Sequence, residues 1–153
     1  MAGENGRDLF LRDQMAKKVT HPVLRDHVEA QRGFVEKKQR LGAFGEEVIS
    51  TFLIARGDEI LERNWRIREG EIDIVSLGKD GIFHCVEVKT RSSLAFGHPF
   101  EAINHIKALR MQRLALAWLA THGCLGCEFT IDVAAVLIAQ DGSHSIEYRA
   151  AIL

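Results

Sequence analysis

Apolar residues recur at helical spacing through Leu41, Phe44, Val48, Ile49, Phe52 and Leu53, and Gly57 follows them. That pattern predicts an amphipathic helix closed by a glycine. The period then changes to two. Residues 60–67 set β-compatible side chains among arginines, residues 71–77 alternate apolar with polar, and residues 82–91 alternate again after Gly78-Lys79-Asp80-Gly81. Three strands are predicted, the last two joined as a tight hairpin. Pro99 precedes a stretch from 100 to about 121 with Ala102, Ile103, Ile106, Leu109, Leu114, Ala117 and Trp118 at mixed spacings of three and four, which reads as one long helix. Residues 129–139 read as a buried strand, 140–143 as a turn and 145–150 as a last short strand. The predicted order is α-β-β-β-α-β-β, an α/β domain over residues 41–153. Residues 1–40 mix charges of both signs, with only Val23, Leu24, His27 and Val28 hinting at a helical stripe. They form a charged N-terminal extension, expected to be partly helical or mobile.

Composition narrows the class. The chain has 153 residues, 46% hydrophobic and 27% charged, which suits one folded domain and excludes intrinsic disorder and collagen-like structure. Its longest apolar runs, 114–120 and 133–139, are far shorter than the ~20 residues of a bilayer crossing, and the N-terminus lacks the apolar core of a signal peptide. A cytoplasmic protein with no membrane partner is expected. Three cysteines, an odd number, point to reduced thiols. The 20 Lys and Arg are balanced by 21 Asp and Glu, so nucleic-acid contact would have to come from local patches. Residues 1–40 carry 9 basic and 6 acidic side chains and residues 41–153 carry 11 and 15, a basic arm before an acidic core.

The hairpin carries the candidate chemistry. Alternation puts Glu71, Asp73 and Val75 on one face of the first strand, with Ile72 and Ile74 opposite, and Cys85, Glu87, Lys89 and Arg91 on one face of the second. Folding about the 78–81 turn sets Asp73 against position 86 or 87, and a one-residue bulge would settle it on Glu87. Like charges facing each other on a sheet are destabilising, so a second reason for the pair is needed. A Mg²⁺ ion, commonly held by one or two carboxylates with waters and phosphate oxygens, supplies one. Lys89 would then orient a water and offset charge developing on a phosphate. The plainer alternative is a solvated, half-exposed hairpin face with Lys89 paired to an acid.

Gly45-Glu46, Asn64, Gly70-Glu71-Ile72-Asp73, Val86-Glu87-Val88-Lys89-Thr90-Arg91, Gly97, Pro99, Glu101-Ala102, Lys107, Arg110, Arg113, Phe129 and Asp132-Val133 follow one another in an order that resembles the YraN-like family of uncharacterised bacterial proteins. The match runs from about Leu41 to the C-terminus. That family is similar to the restriction-endonuclease-like superfamily, the PD-(D/E)xK nucleases, and in layout to archaeal Holliday-junction resolvases. The resemblance implies a mixed β-sheet flanked by helices. It makes Asp73 the lone acid of the motif, Glu87 and Lys89 its Glu-x-Lys, and Glu46 an acid supplied by the first helix. Metal ligands would be Asp73, Glu87 and Glu46, the ion Mg²⁺ or Mn²⁺. Asp73 follows Ile72 and not the proline of the superfamily's name, and the first forty residues have no counterpart in the family pattern.

Other residues have plainer readings beside the chemical one. Glu46 near a helix start also complements the helix dipole. Lys107, Arg110 and Arg113 recur every three residues on the long helix and, with Arg91 and with Arg66 and Arg68, would supply phosphate contacts or simply form a solvated face. No aromatic ladder accompanies them, so backbone recognition is expected over base reading. His122-Gly123-Cys124-Leu125-Gly126-Cys127 lacks the second ligand pair of a zinc site and reads as a turn. His84, Cys85, Trp65 and Trp118 read as packing residues. Asp132, inside an apolar strand, is expected either at the sheet's end or paired with a residue such as Arg113. The leading expectation is a divalent-metal-dependent endonuclease acting on DNA, with branched or structured DNA as a candidate substrate and a homodimer as a candidate assembly. The alternatives are a non-catalytic nucleic-acid-binding module on the same scaffold and an adaptor working through residues 1–40.

Overall fold

A computed structural model describes residues 22–93, 95 and 97–153, with side chains in the first helix from residue 29 onward. The expectation for residues 1–21 lies outside them. Two compact units divide the chain, Met1–Arg40 and Leu41–Leu153.

Helix α1 spans Pro22–Arg56. It begins well before the start at Leu41 that hydrophobic spacing predicts. Residues 29–40 are exposed, so no packing imposes a stripe there; the strong helix formers Glu, Gln, Lys and Arg, with proline at the first position, account for the helix instead. In the second unit the helix buries Ile49 and Leu53 completely. Truncating either to alanine would cost about 2–5 kcal/mol. Gly57 ends the helix at φ 103°, its N–H reaching the Leu53 carbonyl at 3.1 Å, a left-handed cap that glycine adopts without strain.

Strands β1 (Glu59–Ile67), β2 (Gly70–Leu77), β3 (Phe83–Arg91), β4 (Phe129–Ile138) and β5 (His144–Arg149) form one sheet in the order β1-β2-β3-β4-β5. The β3–β4 pair is parallel and the others antiparallel. A parallel neighbour requires a crossover, and helix α2 (His105–Thr121) lies on it. The single helix expected from 100 onward is broken: Pro99–Ala102 is a 3-10 turn, Ile103 is extended, and the Asn104 side chain accepts the Lys107 N–H at 2.9 Å to start α2 afresh.

Two apolar layers result. Ile72, Val75, Phe83, Cys85, Ile131 and Val133 pack with Met111, Leu114, Ala115, Trp118 and Leu119 of α2. Ile74, Val86, Val88, Ala134 and Val136 pack with Ile49 and Leu53 of α1. The mixed sheet flanked by helices, in the order α-β-β-β-α-β-β, is the fold that the pattern and the resemblance implied. Among the described residues no helix is long and apolar enough to cross a membrane.

Candidate active site

The hairpin register follows from its turn. Five residues, 78–82, connect the strands, with Gly78 N–H on the Ile82 carbonyl at 2.9 Å and Gly81 N–H on the Gly78 carbonyl at 3.0 Å. The ladder then runs Leu77↔Phe83, Ser76↔His84, Val75↔Cys85 and Ile74↔Val86. The ladder stops there, one step short of the Asp73–Glu87 pairing that the hairpin was expected to reach.

Regular alternation fails at Asp73. Ile72 and Ile74, expected on one face, lie in opposite apolar layers. The ladder between β2 and β3 ends at Ile74, and the Asp73 side chain accepts the Val88 N–H at 2.7 Å, standing in for a main-chain acceptor. On the other side, β1 carries Asn64 at φ 54° between the Trp65↔Ile72 and Arg63↔Ile74 pairs. Both strands are irregular at the same level of the sheet.

Burial pushes the Asp73 carboxyl up to about 7, helped by the nearby Glu87 charge, while the Val88 N–H and Lys89 oppose the rise and Glu46 adds to it. Glu87 behaves differently. Burial raises it too, but Lys89 and Lys107 outweigh burial and hold its carboxyl below the ordinary value. One oxygen, Glu87 Oε1, accepts from both lysines, Lys89 from two residues along the strand and Lys107 Nζ at 2.8 Å from the first turn of α2. Burial pulls the Lys89 ammonium down and Glu87 more than restores it, so Lys89 is held above its ordinary value.

Glu46, on α1, accepts from Asn64 Nδ2 at 2.8 Å, with Arg63 at 3.9 Å. Its charge is felt at Asp73. Among the described residues no group of three or more His, Cys, Asp or Glu side chains stands ready to hold a metal ion. The expected trio of Asp73, Glu87 and Glu46 is thus not gathered as one group; two carboxylates such as Asp73 and Glu87 are a number that suits a hard cation keeping several waters.

A cleft of about 270 Å³ opens at Glu87, lined also by Glu71, Lys89, Lys107, Arg110 and apolar residues of α2, with Asp73 not part of its lining. Lys107 thus opens onto the site. Arg110 is exposed and grips the Glu69 carbonyl at 2.7 and 3.0 Å, Arg113 is exposed further along α2, and Arg91 donates to the Thr90 carbonyl at 3.2 Å. Arg66 pairs with Glu71 at 2.9 Å and Arg68 is exposed.

Asp132 is paired, as the second of its two expected readings had it, but not with Arg113: fully buried, it accepts from Tyr148 at 2.5 Å, contacts His84 Nδ1 at 3.0 Å and accepts the Ala151 N–H at 2.9 Å. It fastens β5 and the C-terminal residues. Burial pushes the Cys85 thiol up to about 12, which leaves it unreactive. His122 stacks on Trp118 at 4.1 Å, and both meet Glu62, at 3.2 and 2.7 Å. Spacing gave no sign of the Lys107–Glu87 contact or of Asn64 as holder of Glu46, although Asn64 stands in the ordered motif.

The model of Uncharacterised protein family UPF0102 matches residues 45–136, a span that holds every candidate site residue. A UPF0102 protein of Beutenbergia cavernae is 49% identical over 112 residues, 72% of this chain and 93% of the relative. One from Parafrankia sp. is 47% identical over 111 residues, with the same shares covered, and one from Arthrobacter sp. is 46% identical over 112 residues, again with those shares.

Proposed function

The chain belongs to Uncharacterised protein family UPF0102, and from that premise we propose that it is a divalent-metal-dependent endonuclease that hydrolyses phosphodiester bonds in DNA, with branched or structured DNA as the preferred substrate. The observation that carries this reading is the hairpin: a buried Asp73 held on the Val88 N–H, close enough to Glu87 to feel its charge, with Lys89 on the Glu87 carboxylate.

Asp73 and Glu87 would hold one Mg²⁺ or Mn²⁺ ion. Such an ion supplies Lewis acidity and charge neutralisation at the scissile phosphate when bound. Lys89 positions the attacking water and offsets the charge that builds on the phosphate oxygens. Glu46, fixed by Asn64 and Arg63, is an auxiliary acid that orients water. Lys107, Arg110, Arg113 and Arg91 hold the backbone through its phosphates, a recognition indifferent to sequence. Acting on DNA, the protein would work in the cytoplasm, and on symmetric branched DNA it would work as a homodimer.

A second reading, a non-catalytic nucleic-acid-binding module, is favoured by one feature: each acid already has a protein partner, Glu87 two lysines and Glu46 an asparagine. Labelled duplex, single-stranded, flapped and four-way-junction DNA, with RNA as a further substrate, separate the two. Cutting that needs Mg²⁺ or Mn²⁺ and is lost in Asp73→Ala and Lys89→Ala supports the nuclease. Binding that survives chelator, with no cutting by any form, supports the module.

A further inference from the structure

Glu87 Oε1 receives two ammonium groups, and the second comes from a different layer of the fold. Lys89 shares a strand face with Glu87, two residues along. Lys107 arrives from the start of α2, where the Asn104 side chain fixes its main-chain N–H at 2.9 Å and leaves only the flexible stem to move. Its side chain is 32% exposed, against 22% for Lys89 and 12% for Glu87. It borders the cleft of about 270 Å³ that Glu87 also lines, so there is room for the ammonium to swing off the carboxylate without disturbing the helix. Two positive charges on one carboxylate oxygen repel each other, and the two lysines together outweigh the single Glu87 charge that they share. A doubly charged ion entering there meets a site whose charge is satisfied, and one lysine has to give way.

We propose that Lys107 is a latch on Glu87, seated on the carboxylate while the cation site is empty and displaced into the cleft when a divalent cation binds, where its ammonium becomes free to take a phosphate of the nucleic acid. The inference rests on the reading of Asp73 and Glu87 as a cation site. It adds that cation binding and nucleic-acid binding are coupled through one residue. The ion makes Lys107 available, and a phosphate that holds Lys107 keeps it off Glu87, so each ligand favours the other.

Calorimetric titration of the full chain with Mn²⁺ alone, in the absence of nucleic acid, tests this. Lys107→Met removes the competing charge and keeps the apolar stem, and it should bind Mn²⁺ roughly five- to ten-fold more tightly than the unaltered protein. Lys107→Arg, which keeps the charge, should not gain that affinity. Glu87→Gln should bind more weakly than either. Should the unaltered protein bind Mn²⁺ in a manner dependent on Glu87 while Lys107→Met binds it equally or less well, the latch is wrong and the cation site stands. Should neither the unaltered protein nor Lys107→Met bind Mn²⁺ through Glu87, latch and cation site are both overturned.

Discussion

The carboxylate of Asp73 accepts the backbone N–H of Val88 at 2.7 Å, at the point where the main-chain ladder between their strands has ended. A side chain that completes a sheet cannot rotate away, and this one is buried beside the Glu87 charge. The acid is therefore fixed in place and kept reluctant to ionise.

That reluctance has a sign in stability. A carboxyl whose folded value is about 7, against an ordinary 3.8, keeps its proton in the native state after the unfolded chain has lost it. The native state then binds more protons than the unfolded one between about pH 4 and 7, and this group's contribution falls as pH rises through that window, by up to about 4 kcal/mol. Glu87, held below its ordinary value, works in the opposite direction and at lower pH. Asp73→Asn keeps an acceptor for Val88 and removes the charge. Thermal unfolding across pH 4–8 should show it gaining on the unaltered protein as pH rises, and parallel curves would count against a buried, proton-holding Asp73.

Gly45 allows α1 to approach β3. A Cβ built there lies 1.8 Å from Thr90 Oγ1, a buried hydroxyl without a hydrogen-bond partner among the described residues. Gly45→Ala should destabilise by about 1–3 kcal/mol despite the better helix propensity of alanine. Adding Thr90→Ala should recover part of the loss, because it deletes the hydroxyl at 1.8 Å and leaves only the Thr90 Cβ position, at 3.0 Å. Denaturant unfolding of the two single variants and the double variant measures the coupling, and strict additivity would refute the contact.

Much of the fold was legible because its strands and the described core of its helices obey simple periods. Glu59–Ile67, Gly70–Leu77 and Phe83–Arg91 fall within a residue of the limits that alternation predicts. What escaped came from contacts that periodicity does not encode. Residues 29–40 of α1 are exposed and have no stripe to detect, and the break at Ile103 depends on the Asn104 cap. Alternation also could not foresee that Asp73 would leave the ladder to bond Val88, which sends Ile72 and Ile74 to opposite layers. In the candidate site, the Glu87 and Lys89 contact followed from one strand's face, while Asp73 joins them from a strand whose alternation breaks at it. The Lys107 contact bridges twenty residues and two layers, and Asp132 meets His84, Tyr148 and Ala151, none of them near it in sequence.

Asn64 separates backbone from side chain. Its φ of 54° is accessible to asparagine and glycine and costly for a β-branched residue, while its amide holds Glu46 at 2.8 Å. Asn64→Gly should leave the melting temperature little changed while loosening Glu46. Asn64→Val should lose about 1–2 kcal/mol more than Asn64→Gly. Equal stability of the two variants in chemical denaturation would contradict the strained position.

The central claim is that Asp73 and Glu87 are chemical and not architectural. A cleavage time course on labelled four-way-junction DNA in Mg²⁺, comparing the unaltered protein with Asp73→Asn, tests it most directly, since asparagine keeps the bond to Val88. The account predicts Mg²⁺-dependent cutting by the unaltered protein and a fall of about a hundred-fold or more in the variant, with its melting temperature at pH 7.5 no lower. Cutting by Asp73→Asn at the unaltered rate would contradict it.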